Sequence, residues 1–316
     1  MTKPYVFQHV APEELHAHLK HRSLLKGKTA VQSFEIAEVG HYGRALLLEG
    51  CVQSTEHDER IYHESLLFPA YAYSPRVASV LCLGGANGGT LKQILKLPHL
   101  ERVRLFDIDP ELHGISRRLL PHMHERTLED PRVRIEFGKV FDMVAALGET
   151  RERFDLIVAD LPDATAESYA TSLFSSEFYQ NVSRLLSPHG IYVTQAGQAH
   201  FLYSRFLNRT LRTLGREFAH VTPYTVTVPS YGCPWAFALA SRGVDFASVT
   251  PETLGQRIRL LPEESLAAYD EQTHAHMFHL PKILRSALAE DVPVNTLGRM
   301  ETVEIAVRAE PASSSN

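Results

Sequence analysis

The stretch Ser79-Val80-Leu81-Cys82-Leu83-Gly84-Gly85-Ala86-Asn87-Gly88-Gly89-Thr90 decides how this chain folds. Residues 80–83 form a short apolar run without charge, which suits a strand buried on both faces. Gly84 and Gly85 follow at once, then Gly88 and Gly89, then Leu91, Ile94 and Leu95 at helical spacing. Strand, glycine turn and helix in that order are the layout of a nucleotide site in an open α/β sheet. Glycines let the backbone approach a ligand where a Cβ would clash. A glycine cluster alone also fits an ordinary tight strand-to-helix turn. The next apolar run, residues 103–106, sharpens the reading because it ends in Asp107-Ile108-Asp109-Pro110. An acid at the tip of the second strand, about 20 residues past the glycines, is placed to hold ribose hydroxyls. The alternative for Asp107 is an acid favoured by a helix N-terminus.

Working outward, 79–83, 103–107, 132–137, 154–159 and 190–195 read as strands, alternating with helices at 89–97, 110–119, 140–147 and 175–186. Ser187-Pro188-His189-Gly190 reads as a turn, and helix 200–214 with strands 219–227 and 234–240 completes the pattern. Regular β-α alternation predicts an α/β fold: a Rossmann-like domain with a mostly parallel twisted sheet and helices on both faces. Ligands then sit outside the carboxyl ends of the strands, where Gly84, Gly85, Asp107, Lys139 and Asp160 fall. Upstream, residues 11–22 read as a short helix, with Pro12 and two acids in its first turn. Strands at 30–37 and 44–48, a hairpin at Gly40 and Gly43, and the run Val52-Gln53-Ser54-Thr55 give a small β-rich unit. Residues 58–71 read as a helix leading to Pro75. The expected division is an N-terminal β-rich domain at 1–72, a Rossmann-like domain at 73–300 and a disordered tail at 301–316.

Composition narrows the classes. The chain has 316 residues, 44% hydrophobic and 22% charged, with a formal net charge of −5. That balance argues against nucleic acid as a partner and favours a cationic ligand. Cys51, Cys82 and Cys233 are too few for a disulfide framework, and the reading is a reduced, cytoplasmic protein. Residues 1–7 hold no signal-peptide apolar stretch, and no run approaches the length of a membrane span. The 17 histidines show no convincing metal-ligand spacing; His274, His276 and His279 share a helix without accompanying Cys or acids, so no metal is expected.

Asp160-Leu161-Pro162-Asp163 is the strongest catalytic candidate. Two acids on a proline-containing loop at a strand end suit a cationic amine, and one of them can take its proton; the bland alternative is a solvated loop with an Asp cap. In the polar stretch 53–64, Gln53, Tyr62 and His63 could reach the strand edge. A helix cap at Thr55 with a solvated acidic face is the competing reading, and His63 alone is more often a satisfied histidine than an acid or base. Tyr224, Tyr231, Trp235 and Phe237 fit either the wall of an alkyl-amine pocket or ordinary core.

Together these residues resemble the polyamine aminopropyltransferases, the spermidine synthase family, from about Leu25 to Arg242 and more loosely to about Leu288. The markers are Gly43-Arg44 to Gly50, Gln53-Ser54-Thr55, Asp58-Glu59, Ile61-Tyr62-His63-Glu64, Gly84-Gly85, Asp107-Ile108-Asp109 and Asp160-x-x-Asp163. Leu173-Phe174, Glu177-Phe178-Tyr179, Thr194-Gln195-Ala196 and Val228-Pro229-Ser230-Tyr231 follow in the same order. Thr194-Gln195-Ala196-Gly197, Pro223-Tyr224 and Tyr269-Asp270 look most like the thermospermine synthase branch. The resemblance implies aminopropyl transfer from decarboxylated S-adenosylmethionine, a co-substrate rather than a permanent cofactor, to a small-molecule polyamine, with methylthioadenosine released. By position, Asp160 aligns and deprotonates the amine and Asp163 binds a second amine. Tyr62, His63 and Tyr231 line the amine channel, Gln53 and Asp107 hold the nucleoside, and Gly84 and Gly85 cradle the donor. A homo-oligomer, dimer or tetramer, is expected.

Two positions depart from the family pattern. Asn87 stands where the family has an acid that grips the donor's ammonium; a neutral amide gives no ion pair. Lys139 stands where the family has an Asp that accepts from the adenine amine, and lysine has no acceptor. Two alternatives therefore stand beside aminopropyl transfer: transfer of another group, methyl included, from intact S-adenosylmethionine, and a catalytically weak polyamine-binding relative.

Overall fold

The structure is a computed structural model that describes residues 4–11, 14–85, 87–125, 127–165 and 168–303. Strands β1 (Tyr5–Ala11), β2 (Glu14–Lys28), β3 (Ser33–Val39), β4 (Gly43–Leu48) and β5 (Cys51–Thr55) form a five-stranded antiparallel sheet in chain order. Its first hairpin corrects the expected helix at 11–22: residues 14–22 belong to β2, while Pro12 and Glu13 lie outside the described residues. Glu, Leu, Ala and Lys have good helix propensity there, but pairing with β1 over residues 14–19 and with β3 from Lys20 onward overrides it. Val6 faces His18 and Phe7 faces Ala17 across β1, and Leu25 faces Ile36 across β3. His18 is buried and its Nε2 bonds the Ser230 carbonyl at 3.0 Å, tying the hairpin to the rest of the chain.

Helix α1 (Glu59–Tyr73) follows and is buried along almost its whole length. Its apolar residues Leu66, Leu67, Phe68 and Ala70 pack in one cluster with Val80, Cys82, Leu156 and Val158 of the second sheet. The acidic face expected to be solvated is not: Glu59 and Glu64 are both buried. Glu64 accepts from the backbone N–H groups of Ala267 and Ala268 and from Arg60. Nor does Thr55 cap the helix; Asp58 occupies that position and Thr55 Oγ1 donates to its carboxylate at 2.6 Å.

The second sheet has seven strands: β6 (Ser79–Gly84), β7 (Arg102–Asp107), β8 (Val133–Phe137), β9 (Phe154–Asp160), β10 (Leu186–Gln198), β11 (His220–Thr227) and β12 (Pro234–Ser241). Their order is β11-β12-β10-β9-β6-β7-β8. The five strands from β10 to β8 run parallel, and β12 and β11 add antiparallel at one edge. The turn expected at residues 187–190 lies within β10 as a bulged excursion: Leu186 pairs with Phe154, and pairing resumes at Ile191 with Leu156. Helices α2 (Gly89–Ile94), α3 (Pro110–Leu119), α4 (Pro121–His124), α5 (Val140–Gly148), α6 (Ser176–Leu185), α7 (Arg205–Glu217), α8 (Pro251–Ile258), α9 (Glu271–Met277) and α10 (Lys282–Leu288) complete the elements. Alternate strand residues feed two separate clusters, with Val80 and Cys82 on one face and Leu81 and Leu83 on the other. Both faces of the central strands are therefore covered, which is why β6 and β9 read as near-continuous apolar runs, whereas the edge strand β8 alternates with exposed residues.

From β6 the chain steps outward to β7 and β8, then crosses back to β9 on the other side. The switch lies between β6 and β9, where Gly84 pairs with Asp160, and a crevice opens at such a point. Of the tail expected to be disordered, residues 301–303 are held: Glu301 pairs with Arg205 and Arg209, and the Val303 N–H donates to Ala164. Residues 304–316 lie outside the described residues.

Candidate active site

A cavity of about 980 Å³ opens at the carboxyl ends of β6, β7 and β9 and is closed from the other side by the five-stranded sheet. Gln53, Tyr62, His63, Gly84, Gly85, Asn87, Asp107, Lys139, Asp160, Asp163 and Tyr231 all line it. The aromatic residues divide. Tyr231 and Trp235 face the cavity, whereas Tyr224 is fully buried with its hydroxyl on the Ser65 and Leu66 carbonyls, and Phe237 is core.

The glycine turn is shaped by what it must pass. Gly85 has φ +80°, and a Cβ there would lie 3.0 Å from Asp160 Oδ2; a Cβ at Gly89 would lie 2.1 Å from His63 Cε1. Absence of side chains at these two positions is what lets Asp160 and His63 reach the mouth of β6. Asn87 is half-buried in the turn, and its Oδ1 accepts from the Gly89 N–H at 2.9 Å.

At the tip of β7 two acids take different tasks. Asp109 is the cap of α3, accepting from Leu112 N, and it also accepts from Thr29 Oγ1 at 2.6 Å and Gln32 Nε2 at 3.1 Å. Asp107 accepts from the Asp109 N–H at 2.9 Å and lines the cavity. The helix-capping alternative for Asp107 thus falls to Asp109, which also locks the 28–32 loop of the first sheet over this side.

Asp160 ends β9 with its Oδ2 accepting from Thr90 Oγ1 at 2.7 Å, and His63 Nε2 stands 3.9 Å from the same oxygen. Behind His63 lies a buried chain of charges. His63 Nδ1 is 2.6 Å from Glu59 Oε2, and Lys92 Nζ donates to Glu59 Oε1 at 2.9 Å. Burial alone would lower the His63 pKa, but the bond to Glu59 and its charge outweigh burial and the net direction is upward. Burial opposes the charge on Glu59 too, yet His63 and Lys92 hold its carboxyl down at about 2. Because the ionised Glu59 can only accept, Nδ1 carries the proton it donates to Glu59, and Nε2 is the nitrogen left to exchange a proton on the cavity side. Glu59, Lys92 and Thr90 were not singled out as site residues in the sequence; the i, i+4 spacing of Glu59 and His63 on one helix was the available signal.

Asp163 sits half-buried farther along the same loop, and the protein packed around it pushes its carboxyl up to about 6. Tyr62 and Tyr231 meet edge to face at 5.8 Å, and Trp235 meets Tyr231 at 5.0 Å. Burial first, then the neighbouring acids Asp160 and Asp163, push both phenols well up, so both stay protonated. Aromatic faces beside two carboxylates form a wall for an alkylammonium ion. Asp58 fixes this wall: it accepts from Ser230 N at 2.8 Å and Ser230 Oγ at 3.1 Å, while the Tyr231 hydroxyl donates to Gln53 O at 2.6 Å.

Lys139 is exposed at the cavity edge after β8 and has no ion pair among the described residues. Among those residues no group of His, Cys, Asp or Glu forms a metal cage, and no helix is long and apolar enough to cross a membrane.

A crevice at the switch point of a parallel sheet, with a glycine turn on one side and acids and aromatics on the other, marks a small-molecule site of the α/β class, and comparison gives the family. Residues 59–248 match the spermine/spermidine synthase domain, and the chain belongs to that family. It is similar to the polyamine aminopropyltransferase of Synechococcus sp. (strain JA-2-3B'a(2-13)), 35% identical over 95% of this chain and 97% of the relative. It is likewise similar to that of Sulfolobus acidocaldarius, 32% identical over 90% and 93%. Among solved structures, a spermidine synthase in complex with the transition state analogue AdoDATO matches with a TM-score of 0.82 at 25% identity, covering 91% of this chain and 96% of that one. Spermidine synthase from Thermotoga maritima matches at 0.80 and 26%, covering 91% and 95%. The enzyme class is polyamine aminopropyltransferase.

Proposed function

We propose that this cavity binds decarboxylated S-adenosylmethionine along β6 and β7 and a polyamine along the β9 loop, and moves the aminopropyl group between them. The observation that carries the reading is the position of Asp160, which touches the glycine turn on one side and faces the amine wall on the other. An alkylamine is protonated at neutral pH, as the pKa of a lysine side chain indicates, so a proton must leave before the nitrogen can attack. Asp160 is placed to orient that nitrogen and take its proton, and His63, held by Glu59, is a positioning residue beside it. The nitrogen attacks the carbon next to sulfur, the C–S bond breaks, and the electron pair leaves with methylthioadenosine.

Asp163 binds a second ammonium along the chain of the amine. Tyr62 and Tyr231 line the methylene path between the two acids. Gln53 and Asp107 hold the nucleoside, while Gly84, Gly85, Asn87 and Lys139 border the donor. A spermidine synthase of the same fold, solved in complex with the transition state analogue AdoDATO, supports reading the reaction as aminopropyl transfer. The thermospermine synthase branch, a homo-oligomer and a cytoplasmic location go with the same proposal. Exposed Tyr5, Phe7 and Leu15 on β1 and β2 support a covered face there. Mass spectrometry of the products from a panel of di- and triamines with the decarboxylated donor tests it. Aminopropylated amine with methylthioadenosine in equal amount is expected, and no such product from any amine would overturn it.

A further inference from the structure

We propose that the donor pocket also takes a sulfonium donor that keeps its carboxylate, intact S-adenosylmethionine, and transfers its 3-amino-3-carboxypropyl group; this rests on reading the cavity as a sulfonium-donor and amine site. Asn87 carries the inference. Its Oδ1 accepts from the Gly89 N–H at 2.9 Å. A backbone N–H is only a donor, so the amide oxygen must face it, and the orientation of the side chain is set. The group left over is Nδ2, a donor only, and it has no bond to any described residue. An aspartate in the same turn would cap Gly89 with one oxygen and offer the other, negatively charged and an acceptor. Asparagine turns that offer from acceptor to donor. A donor group disfavours an ammonium and bonds a carboxylate, so the selection against a carboxylate that an acid imposes by repulsion is removed.

The rest of this flank is mixed in sign: Asp107 and Asp142 line the cavity there as acids, and Lys139 adds a cation. Asn87, Asp107 and Lys139 follow β6, β7 and β8 in turn, whereas the acids Asp160 and Asp163 belong to the β9 loop. Lys139 has no carboxylate partner among the described residues, and two strand spacings, about 10 Å, separate its strand from β6. That is about one Debye length at 0.1 M salt, so the field of this exposed lysine reaches β6 attenuated and grows at low ionic strength. The transfer balances without further reagents. The amine nitrogen attacks the methylene carbon bonded to sulfur in the amino-acid chain, and that C–S bond breaks. Its electron pair neutralises the sulfonium as methylthioadenosine, and the proton released from nitrogen passes to Asp160.

The test is calorimetric titration of the full chain and of Asn87→Asp with three nucleosides: decarboxylated S-adenosylmethionine, intact S-adenosylmethionine and methylthioadenosine. The parent should bind the intact donor within about tenfold of the decarboxylated one. Asn87→Asp, which keeps the Gly89 cap, should move that ratio by about tenfold or more toward the decarboxylated donor. Methylthioadenosine lacks both the ammonium and the carboxylate, so its affinity should not change, which also shows that the variant is folded. With a polyamine present and intact S-adenosylmethionine as the sole donor, the parent should release methylthioadenosine and an amine heavier by the aminocarboxypropyl group. A parent that does not bind the intact donor, a ratio unmoved by Asn87→Asp, or a methylated amine would each overturn the inference. Aminopropyl product from the decarboxylated donor would still stand in all three cases, so the two readings fail separately.

Discussion

Asp160 and Asp163 are three residues apart and meet different surroundings. Asp160 is bonded to Thr90 and faced by His63, whereas Asp163 is pushed up to about 6 by burial. Asp160→Asn keeps the shape and removes the proton acceptor. It should lower kcat by about 10²–10⁴-fold with an unchanged thermal midpoint; unchanged turnover would remove Asp160 from the chemistry. A raised folded pKa at Asp163 means that its protonated form is favoured in the empty protein. That contribution is present below 3.8 and lost as pH rises through about 6. Ammonium binding needs the opposite form, so amine affinity should fall as pH drops from 7 to 5. In Asp163→Asn the affinity should be weaker and flat over that range, and titration calorimetry at several pH values reads both. Asp107→Ala should weaken methylthioadenosine more than amine, because Asp109 already caps α3. Equal loss of both ligands would make Asp107 a structural acid.

Elements bring these residues together through a few tight crossings. Where α1 passes α2, Gly89 leaves room for the His63 ring, and a Cβ would stand 2.1 Å from it. Gly89→Ala should displace the ring and, by misplacing a group beside the reacting nitrogen, cut kcat by about 10²-fold; a normal rate would show that His63 is a bystander. The corner between β5 and α1 depends on Asp58, which gathers Thr55 and Ser230. Asp58→Ala leaves the Ser230 N–H unpaired in a buried place. A loss of about 2–3 kcal/mol in denaturant unfolding, with a raised KM for amine because Tyr231 loosens, is expected.

For the whole molecule, acid stability has an identifiable source outside the site. His274 is buried beneath Tyr73, Tyr269 and Phe278, with its Nδ1 2.6 Å from the Tyr269 hydroxyl. Burial holds its pKa down at about 4. The folded value lies below the ordinary 6.5, so this stability is present above pH 6.5 and is lost as pH falls toward 4. The amount is of order 3 kcal/mol. His274→Gln keeps an acceptor for Tyr269 and removes the titration, so its midpoint should fall less steeply between pH 6.5 and 4. Parallel curves for variant and parent would place the acid sensitivity elsewhere.

Local pattern determined most of the second sheet. Its central strands are buried on both faces, so the apolar runs, glycine turns and strand-end acids are local signals, and α3 at residues 110–119 was legible to the residue. The same locality placed Gly84, Gly85, Asp107, Lys139 and Asp160 on one edge, because β-α alternation forces the carboxyl ends of parallel strands to one side. What the sequence by itself could not determine depends on partners distant in the chain. Residues 14–22 became strand because β1 pairs with residues 14–19 and β3 with the residues from Lys20 on, overriding their helical composition. Glu59 and Lys92 became an ion pair only when α1 crossed α2, a contact across 33 residues. The direction in which Asn87 turns its amide was decided by one backbone N–H at Gly89, and sequence shows only which residue stands there. Charge and hydrogen bonding act over a few ångströms in space, and spacing along the chain reports that distance only within a single element.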